Sequence, residues 1–385
     1  MTEVNAVAGG LADRCRRAVR LAPALRVLLG SGARRPLLSF VAEGAESGAE
    51  NNAAAAAAGP GGERLPVLTL EENADFDALR ARLAAVDGLA ELRFPGLGSF
   101  LPRFPEITAP GRRLAGRIVL VTGAAQGFGA GIARELAAEG AALVIADLNL
   151  ELAESVASSL RAEHGPDAAL ALPVDVSDEA SVALLMETVA LQLGGLDLLV
   201  SNAGVLRAGS LEDMTLATFE FVTRVNYTGF YLVTRYGARL MRAAAAADPE
   251  YTADIVQVNS KSGLEGSNRN FAYAGGKFGG IGLVQSFAKE LVDDRIKVNA
   301  VCPGNYYEGP LWSDPEKGLF VQYLESGKVP GATSVEDVYR HYVRQVPMRR
   351  GCSPLDVSRA ILYCVEQAYE TGQALPVTGG QTMLN

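Results

Sequence analysis

The chain has 385 residues, 49% of them apolar, enough to bury the core of one large domain with an appendage. Its net charge of −9 comes without the clustered Lys and Arg that neutralise phosphates, and no run of about 18 apolar residues offers a membrane span, so neither nucleic acid nor a membrane is an expected partner. Four cysteines without a C-x-x-C pair and two histidines, His164 and His341, predict no disulfide framework and no metal site, leaving a cytoplasmic protein acting on small molecules as the expectation.

Residues 6 to 42 carry helical spacing and end in the apolar run Leu37-Leu38-Ser39-Phe40-Val41. Arg14, Arg16, Arg17, Arg20, Arg26, Arg34 and Arg35 read as the solvated face of an Ala/Arg-rich helix. Residues 43 to 64 have the Gly/Ala-rich composition of a flexible linker. Strand-like Val67 to Leu70, a helix over about Ala74 to Val86 and strand-like Glu91 to Phe94 follow, as in a small α/β appendage. Residues 1 to 112 are thus expected to be an N-terminal extension with no shared core and no chemistry, and removing them is expected to leave the remainder folded.

From Arg117 onward, short apolar runs alternate with longer helical segments. Ile118 to Thr122, Ala142 to Ala146, Leu170 to Val174, Leu196 to Ser201, Ile255 to Asn259 and Lys297 to Val301 lack a polar face, as strands covered on both sides must. Such strands, joined by helical right-handed crossovers, predict an α/β fold with a doubly wound parallel sheet of the Rossmann type over residues 113 to 385. The first strand runs into Thr122-Gly123-Ala124-Ala125-Gln126-Gly127-Phe128-Gly129, and a helix follows. Glycines there permit a tight turn and bring backbone N–H groups to a pyrophosphate at the positive helix end. Asp147 ends the second strand, where a carboxylate accepts the adenosine ribose hydroxyls and repels a 2′-phosphate. Leu148, Asn149 and Gln126 beside it are uncharged, so NAD is the expected cofactor.

Together these residues resemble the short-chain dehydrogenase/reductase family. Thr122 to Gly129 matches its T-G-x-x-x-G-x-G turn, Asn202-Ala203-Gly204 its N-A-G segment, and Tyr273-Ala274-Gly275-Gly276-Lys277 its Y-x-x-x-K. Ser260 stands thirteen residues before that tyrosine, and Asn226 lies where the family's fourth polar residue belongs. The resemblance implies adenine contacts from Asp175 and Val176, and further cofactor contacts from Pro303, Gly304 and Asn305. Within the family, Asn259 to Gly263, Gly276 to Gly280, Pro303 to Asn305 and Val377 to Gln381 look like sorbitol-6-phosphate 2-dehydrogenases, which implies oxidation of a sugar-alcohol phosphate to a ketose phosphate. A free polyol or a 3-oxoacyl thioester is an alternative substrate. A non-catalytic dinucleotide-binding scaffold is an alternative role, against which the intact polar set argues. Two features depart from the family: Asn305-Tyr306-Tyr307 stands where a Thr is usual after the Pro-Gly, and the first hundred-odd residues have no counterpart. The stretch around Phe94 to Gly98 and Leu114 to Arg117 faintly resembles the junction of fused aldolase–dehydrogenases, but residues 1 to 113 hold no histidine for a His-ligated metal.

Removing a hydride from a secondary alcohol requires a base for the hydroxyl proton, and Tyr273 is the candidate. A phenol with a pKa near 10 is a poor base unless positive charge favours the phenolate. Lys277, one helical turn on, can supply that charge. Ser260 is expected to orient the substrate oxygen, and Asn226 to hold water linking Lys277 to solvent. Lys261, Arg269, His341 and Arg344 are the candidate cations for a substrate phosphate. Gly275, Gly276, Gly279, Gly280 and Gly282 in one helix suggest close approach of another backbone, and the resemblance implies a subunit interface there, hence a homotetramer or homodimer. The insertion from Tyr306 to Met348, with Trp312 and a helix capped by Ser334, is expected to cover the substrate.

Overall fold

A computed structural model describes residues 2–30, 35–43, 67–70, 76–84, 86, 89, 91–316, 318–325 and 327–383. Apart from Glu43, the expected linker lies outside the described residues. Before residue 104 the chain forms α1 (Thr2–Leu29), β1 (Leu37–Ala42), β2 (Val67–Thr69), α2 (Phe76–Ala84), β3 (Glu91–Phe94) and β4 (Gly98–Arg103). The four strands make one sheet in the order β1-β4-β3-β2. Strand β4 was not expected from the sequence; its Gly98 and Pro102 disfavour a strand locally, and pairing with β1 and β3 on both sides outweighs that preference. Gly96, at φ +78°, makes the tight β3–β4 turn. Leu25, Leu38, Leu92, Phe94 and Phe100 fill the small core, Phe94 meeting Phe100 edge-on at 5.7 Å.

The expected strands follow: β5 (Ile118–Thr122), β6 (Ala142–Asp147), β7 (Ala169–Pro173), β8 (Leu198–Ser201), β9 (Ala253–Val258) and β10 (Ile296–Pro303). An unexpected seventh, β11 (Ala374–Val377), lines the edge, where a half-buried four-residue strand can carry Pro376. All pairings are parallel and the order is β11-β10-β9-β8-β5-β6-β7, a Rossmann-type sheet. The intervening helices that matter for the site are α3 (Gly127–Ala137), α4 (Leu150–His164), α5 (Glu179–Leu193), α6 (Leu216–Thr223), α7 (Gly229–Ala247) and α8 (Phe271–Leu291). Apolar side chains cover both sheet faces in two large clusters. Chain order reverses between β5 and β8, so the crevice for a ligand opens past the carboxyl ends of that pair.

The extension does share a core with this sheet, contrary to the sequence expectation. Ala24, Val27 and Leu37 pack in one cluster with Leu193 of α5, Leu196, and Leu240, Ala244 and Ala247 of α7. Arg26 and Arg35, read as solvated, are buried on Asp197, which is 0% exposed. Arg26 donates to Asp197 at 3.0 Å, to the Pro36 carbonyl at 2.9 Å and to the Gly116 carbonyl at 2.6 Å, and Arg35 reaches the same carboxylate at 3.5 Å. A carboxylate that also accepts the Ile118 N–H at 2.7 Å ties the extension to the first residue of β5. Helical periodicity marks an arginine as off the apolar stripe, and only the position of a distant aspartate decides that it is buried.

Candidate active site

Strand β5 delivers Thr122 and the glycine-rich turn to the crevice. The buried Thr122 hydroxyl accepts the backbone N–H groups of Asn202 and Ala203 at 3.0 and 3.1 Å, while the Asn202 amide donates to the carbonyls of Thr122 and Gly123. These bonds lock the turn after β5 to the Asn202-Ala203-Gly204 segment after β8. Gly123, at φ +63°, has no room for a side chain, since a Cβ would lie 2.8 Å from the Ala203 Cα, and a Cβ on Gly129 would collide with the Gly123 carbonyl. Gly127 differs: its φ is +59° and a Cβ there would meet nothing nearer than Pro310 at 4.0 Å. Two glycines thus close the turn and one leaves space over the start of α3, as a dinucleotide pyrophosphate requires. Phe128 lies under the Tyr306 ring, 4.9 Å between centroids, a contact that sequence reading did not foresee.

Asp147, at the end of β6, accepts the N–H of Ala125 at 2.9 Å and of Asn149 at 3.0 Å, so the acid and the glycine turn form one wall. Asp175 accepts both the N–H and the hydroxyl of Ser177, and Val176 is buried against Gly229. Past β10, the Gly304 N–H donates to Val377 of β11, and the Asn305 amide donates to the Tyr307 hydroxyl at 3.3 Å.

The four polar residues of the expected catalytic set gather at the carboxyl ends of β8 and β9. Asn226 sits in a π-helical turn (Arg224–Thr228) between α6 and α7, a distortion frequent at functional sites. Its buried amide donates to the carbonyls of Val205 and Val222 and accepts the Val205 N–H. Ser260 stands two residues past the end of β9, where its hydroxyl accepts the Ser262 N–H at 3.1 Å and lies within hydrogen-bonding reach of Tyr273. Tyr273 and Lys277 lie on one face of α8, the ammonium 5.6 Å from the phenol ring centroid. Lys277 is 4% exposed and donates to the Val258 carbonyl at 2.9 Å. Burial depresses its pKa from 10.5 to about 8. Burial raises the Tyr273 hydroxyl, and the Ser260 hydrogen bond opposes that rise. Gly204 stands between Asn226 and Lys277: a Cβ there would be 2.7 Å from the Asn226 Oδ1 and 3.8 Å from the Lys277 Nζ.

Two of the five helix glycines, Gly279 and Gly280, are explained by close approach inside the chain, whereas Gly276 has ordinary contact room. A Cβ on Gly279 would meet Tyr227 at 2.8 Å, one on Gly280 the Gln257 amide at 2.6 Å, and one on Gly276 Asn226 at 3.5 Å; Gly275 and Gly282 face open space.

The insertion after β10 forms α9 (Pro310–Ser313), α10 (Leu319–Glu325) and α11 (Val335–Arg344), the last opened by a capping box of Ser334 and Asp337. Tyr307, Trp312, Phe320, Tyr323 and Val338 bury a separate apolar cluster that holds it together. The four candidate phosphate cations fare differently. Lys261 is paired with Glu265 at 3.5 Å, and Glu265 is also held by the Thr382 hydroxyl. His341 bonds Gln345, which follows its own helix, and Arg344 is exposed beside it. Arg269 is exposed in the loop before α8, in a left-handed conformation at φ +59°. Nothing local in the sequence marks Lys328, which the structure brings from the insertion to the same mouth, its ammonium 3.8 Å from the centroid of the Tyr323 ring.

Residues 117–312 match the model of the short chain dehydrogenase family. The chain is 35% identical over 270 residues to sorbitol-6-phosphate 2-dehydrogenase of Escherichia coli strain K12, covering 69% of this chain and 99% of that protein. It is 32% identical to a 3-alpha-(or 20-beta)-hydroxysteroid dehydrogenase of Mycobacterium tuberculosis, over 70% of this chain and 90% of that one. Among solved structures, sorbitol-6-phosphate 2-dehydrogenase of Erwinia amylovora superposes with a TM-score of 0.64 at 36% identity, covering 69% of this chain and 100% of that chain. The RhlG/NADP complex of Pseudomonas aeruginosa superposes with a TM-score of 0.59 at 28% identity, over 70% and 97% of the two chains.

Proposed function

This chain belongs to the short-chain dehydrogenase family and is an alcohol oxidoreductase of that type, and we propose that it oxidises the secondary alcohol of a sugar-alcohol phosphate resembling sorbitol 6-phosphate to the ketose phosphate, using NAD. The observation that carries this reading is the convergence of Ser260, Tyr273 and Lys277 in a segment similar to a sorbitol-6-phosphate 2-dehydrogenase along nearly its whole length.

When bound, the oxidised nicotinamide accepts the hydride from the alcohol carbon. Tyr273 takes the hydroxyl proton as the carbonyl forms, so the alcohol gives up one hydride and one proton. Ser260, bonded to Tyr273, holds the substrate oxygen between the two hydroxyls. Lys277, with a pKa of about 8, keeps most of its charge at pH 7, and at 5.6 Å from the ring that charge favours the phenolate against the effect of burial. Proton transfer by groups so placed contributes about 10² to 10⁴-fold. Asn226 and Lys277 flank Gly204, which supports a water path between them toward solvent.

Thr122, Gly123, Gln126, Gly127, Phe128 and Gly129 would cradle the pyrophosphate, with Asp175 and Val176 at the adenine. Asn202, Ala203, Gly204, Pro303, Gly304 and Asn305 would line the nicotinamide half. NAD rather than NADP is supported by Asp147, whose carboxylate stands beside the turn, where the loop residue Gln126 and the following Leu148 and Asn149 are uncharged. A homo-oligomer is supported by the outer side of α8, where Gly275 and Gly282 face open space and Phe278 is 46% exposed; light scattering of the full chain tests it. For the substrate, nicotinamide absorbance is followed with sorbitol 6-phosphate, sorbitol and a 3-oxoacyl thioester, each with NAD(H) and NADP(H). Turnover of sorbitol 6-phosphate with NAD well above the others is expected. Turnover confined to a free polyol or a thioester would replace this substrate.

A further inference from the structure

We propose that Arg269 and Lys328 together bind the substrate's phosphate, one from the loop entering the catalytic helix and the other from the covering insertion. This rests on the polyol-phosphate reading above and names the residues that carry it. The two cations come from elements far apart in the chain, and Tyr323 joins them. Lys328 lies over the Tyr323 ring at 3.8 Å, and the Tyr323 hydroxyl lies within hydrogen-bonding reach of Asn270, the neighbour of Arg269 and the residue that precedes α8. Tyr273 follows one turn later on the same helix.

Like charges brought together are unfavourable unless something gathers them. Burial of its ammonium and repulsion from Arg269 hold Lys328 below the ordinary lysine range. Arg269 keeps a left-handed backbone at φ +59°, which costs a bulky residue energy and recurs at ligand clamps. Among the described residues, no ion pair joins a carboxylate to either cation, whereas Lys261 is neutralised by Glu265. A phosphate between Arg269 and Lys328 would supply the missing countercharge through charge-assisted hydrogen bonds. Asn270 adds an independent sign of a polar ligand: it is 9% exposed, and its side-chain carbonyl oxygen is buried without a donor. A hydroxyl of the polyol chain would satisfy it.

The test compares Lys328→Gln, Arg269→Gln and the double variant with the wild-type full chain, on sorbitol 6-phosphate and on sorbitol, with NAD held saturating. Each single change is expected to raise KM for sorbitol 6-phosphate by about 10-fold or more, the worth of one charged hydrogen bond, with kcat nearly unchanged. Kinetics on sorbitol should hardly move. Inorganic phosphate should inhibit the wild-type protein competitively against sorbitol 6-phosphate, and the double variant should escape that inhibition. If the wild-type protein prefers sorbitol 6-phosphate while the variants lose nothing, or lose equally on both substrates, the assignment of these two residues is overturned and the substrate reading survives. A wild-type protein indifferent to the phosphate overturns both.

Discussion

Replacing Arg26 by Ala tests the claim that the extension and the dehydrogenase fold form one cooperative unit. In the intact chain, Asp197 is fully buried between Arg26 at 3.0 Å, Arg35 at 3.5 Å and the Ile118 N–H at 2.7 Å. Burial pushes the Asp197 carboxyl up, yet the Arg26 and Arg35 guanidinium groups, with the Arg26 and Ile118 hydrogen bonds, hold it below the ordinary carboxylate range. Removing one partner of a buried pair costs about 3–5 kcal/mol where the other charge is left uncompensated; Arg35 and the Ile118 N–H still face Asp197, so the loss falls toward the lower end of that range. The carbonyls of Pro36 and Gly116 lose a donor as well. Domains are stable by about 5–15 kcal/mol in total, so the variant should unfold at much lower urea concentration. Far-UV circular dichroism and Trp312 fluorescence, read together at neutral pH, measure the loss. Its pH dependence has a definite sign. A carboxylate with a depressed pKa contributes stability above its unfolded value near 4 and loses it as pH falls through the folded one, so wild type and variant should converge in acid. Arg26→Met and Arg35→Met combined with Asp197→Asn should be less damaging than Arg26→Met and Arg35→Met without it, since no charge of the cluster then remains unpaired. A loss below about 1 kcal/mol at neutral pH, or a chain lacking residues 1 to 110 that is as stable as the intact one, would refute the reasoning.

Tyr273→Phe is expected to lower turnover by at least about 10²-fold while NAD affinity, read by quenching of protein fluorescence, stays near wild type. Asp147→Ala should shift the NADP-to-NAD ratio of kcat/KM upward by about 10-fold or more, since it removes a ribose acceptor and a repulsive charge together; a wild-type preference for NADP would contradict the role of Asp147. Lys277→Met should change how stability responds to alkali. With a folded pKa of about 8 against 10.5 unfolded, the unfolded chain holds the extra proton between those values, so this residue's contribution to stability rises with pH across that window. Urea midpoints near pH 8 and near pH 10 should show that rise, worth up to about 3 kcal/mol, in the wild type only.

What local sequence determines here is what needs only neighbours in the chain. The apolar runs at β5, β6, β7, β8, β9 and β10 are strands because a sheet covered on both faces leaves no polar side, and the turn from Thr122 to Gly129 is legible because its glycines answer backbone geometry within a few residues. Tyr273 and Lys277 share a face by helical spacing alone, and Ser334 and Asp337 cap a helix through bonds three residues apart. Tertiary structure decided the rest, because burial and charge pairing depend on residues far away. Arg26 looks like a solvated helix residue until Asp197, 171 residues on, takes its charge into the core. Lys328 looks like nothing until the insertion brings it over Tyr323 and beside the loop of Asn270. Strands β11 and β4 were illegible for the same reason: the Pro of β11 and the Gly and Pro of β4 are tolerated because other strands pair beside them.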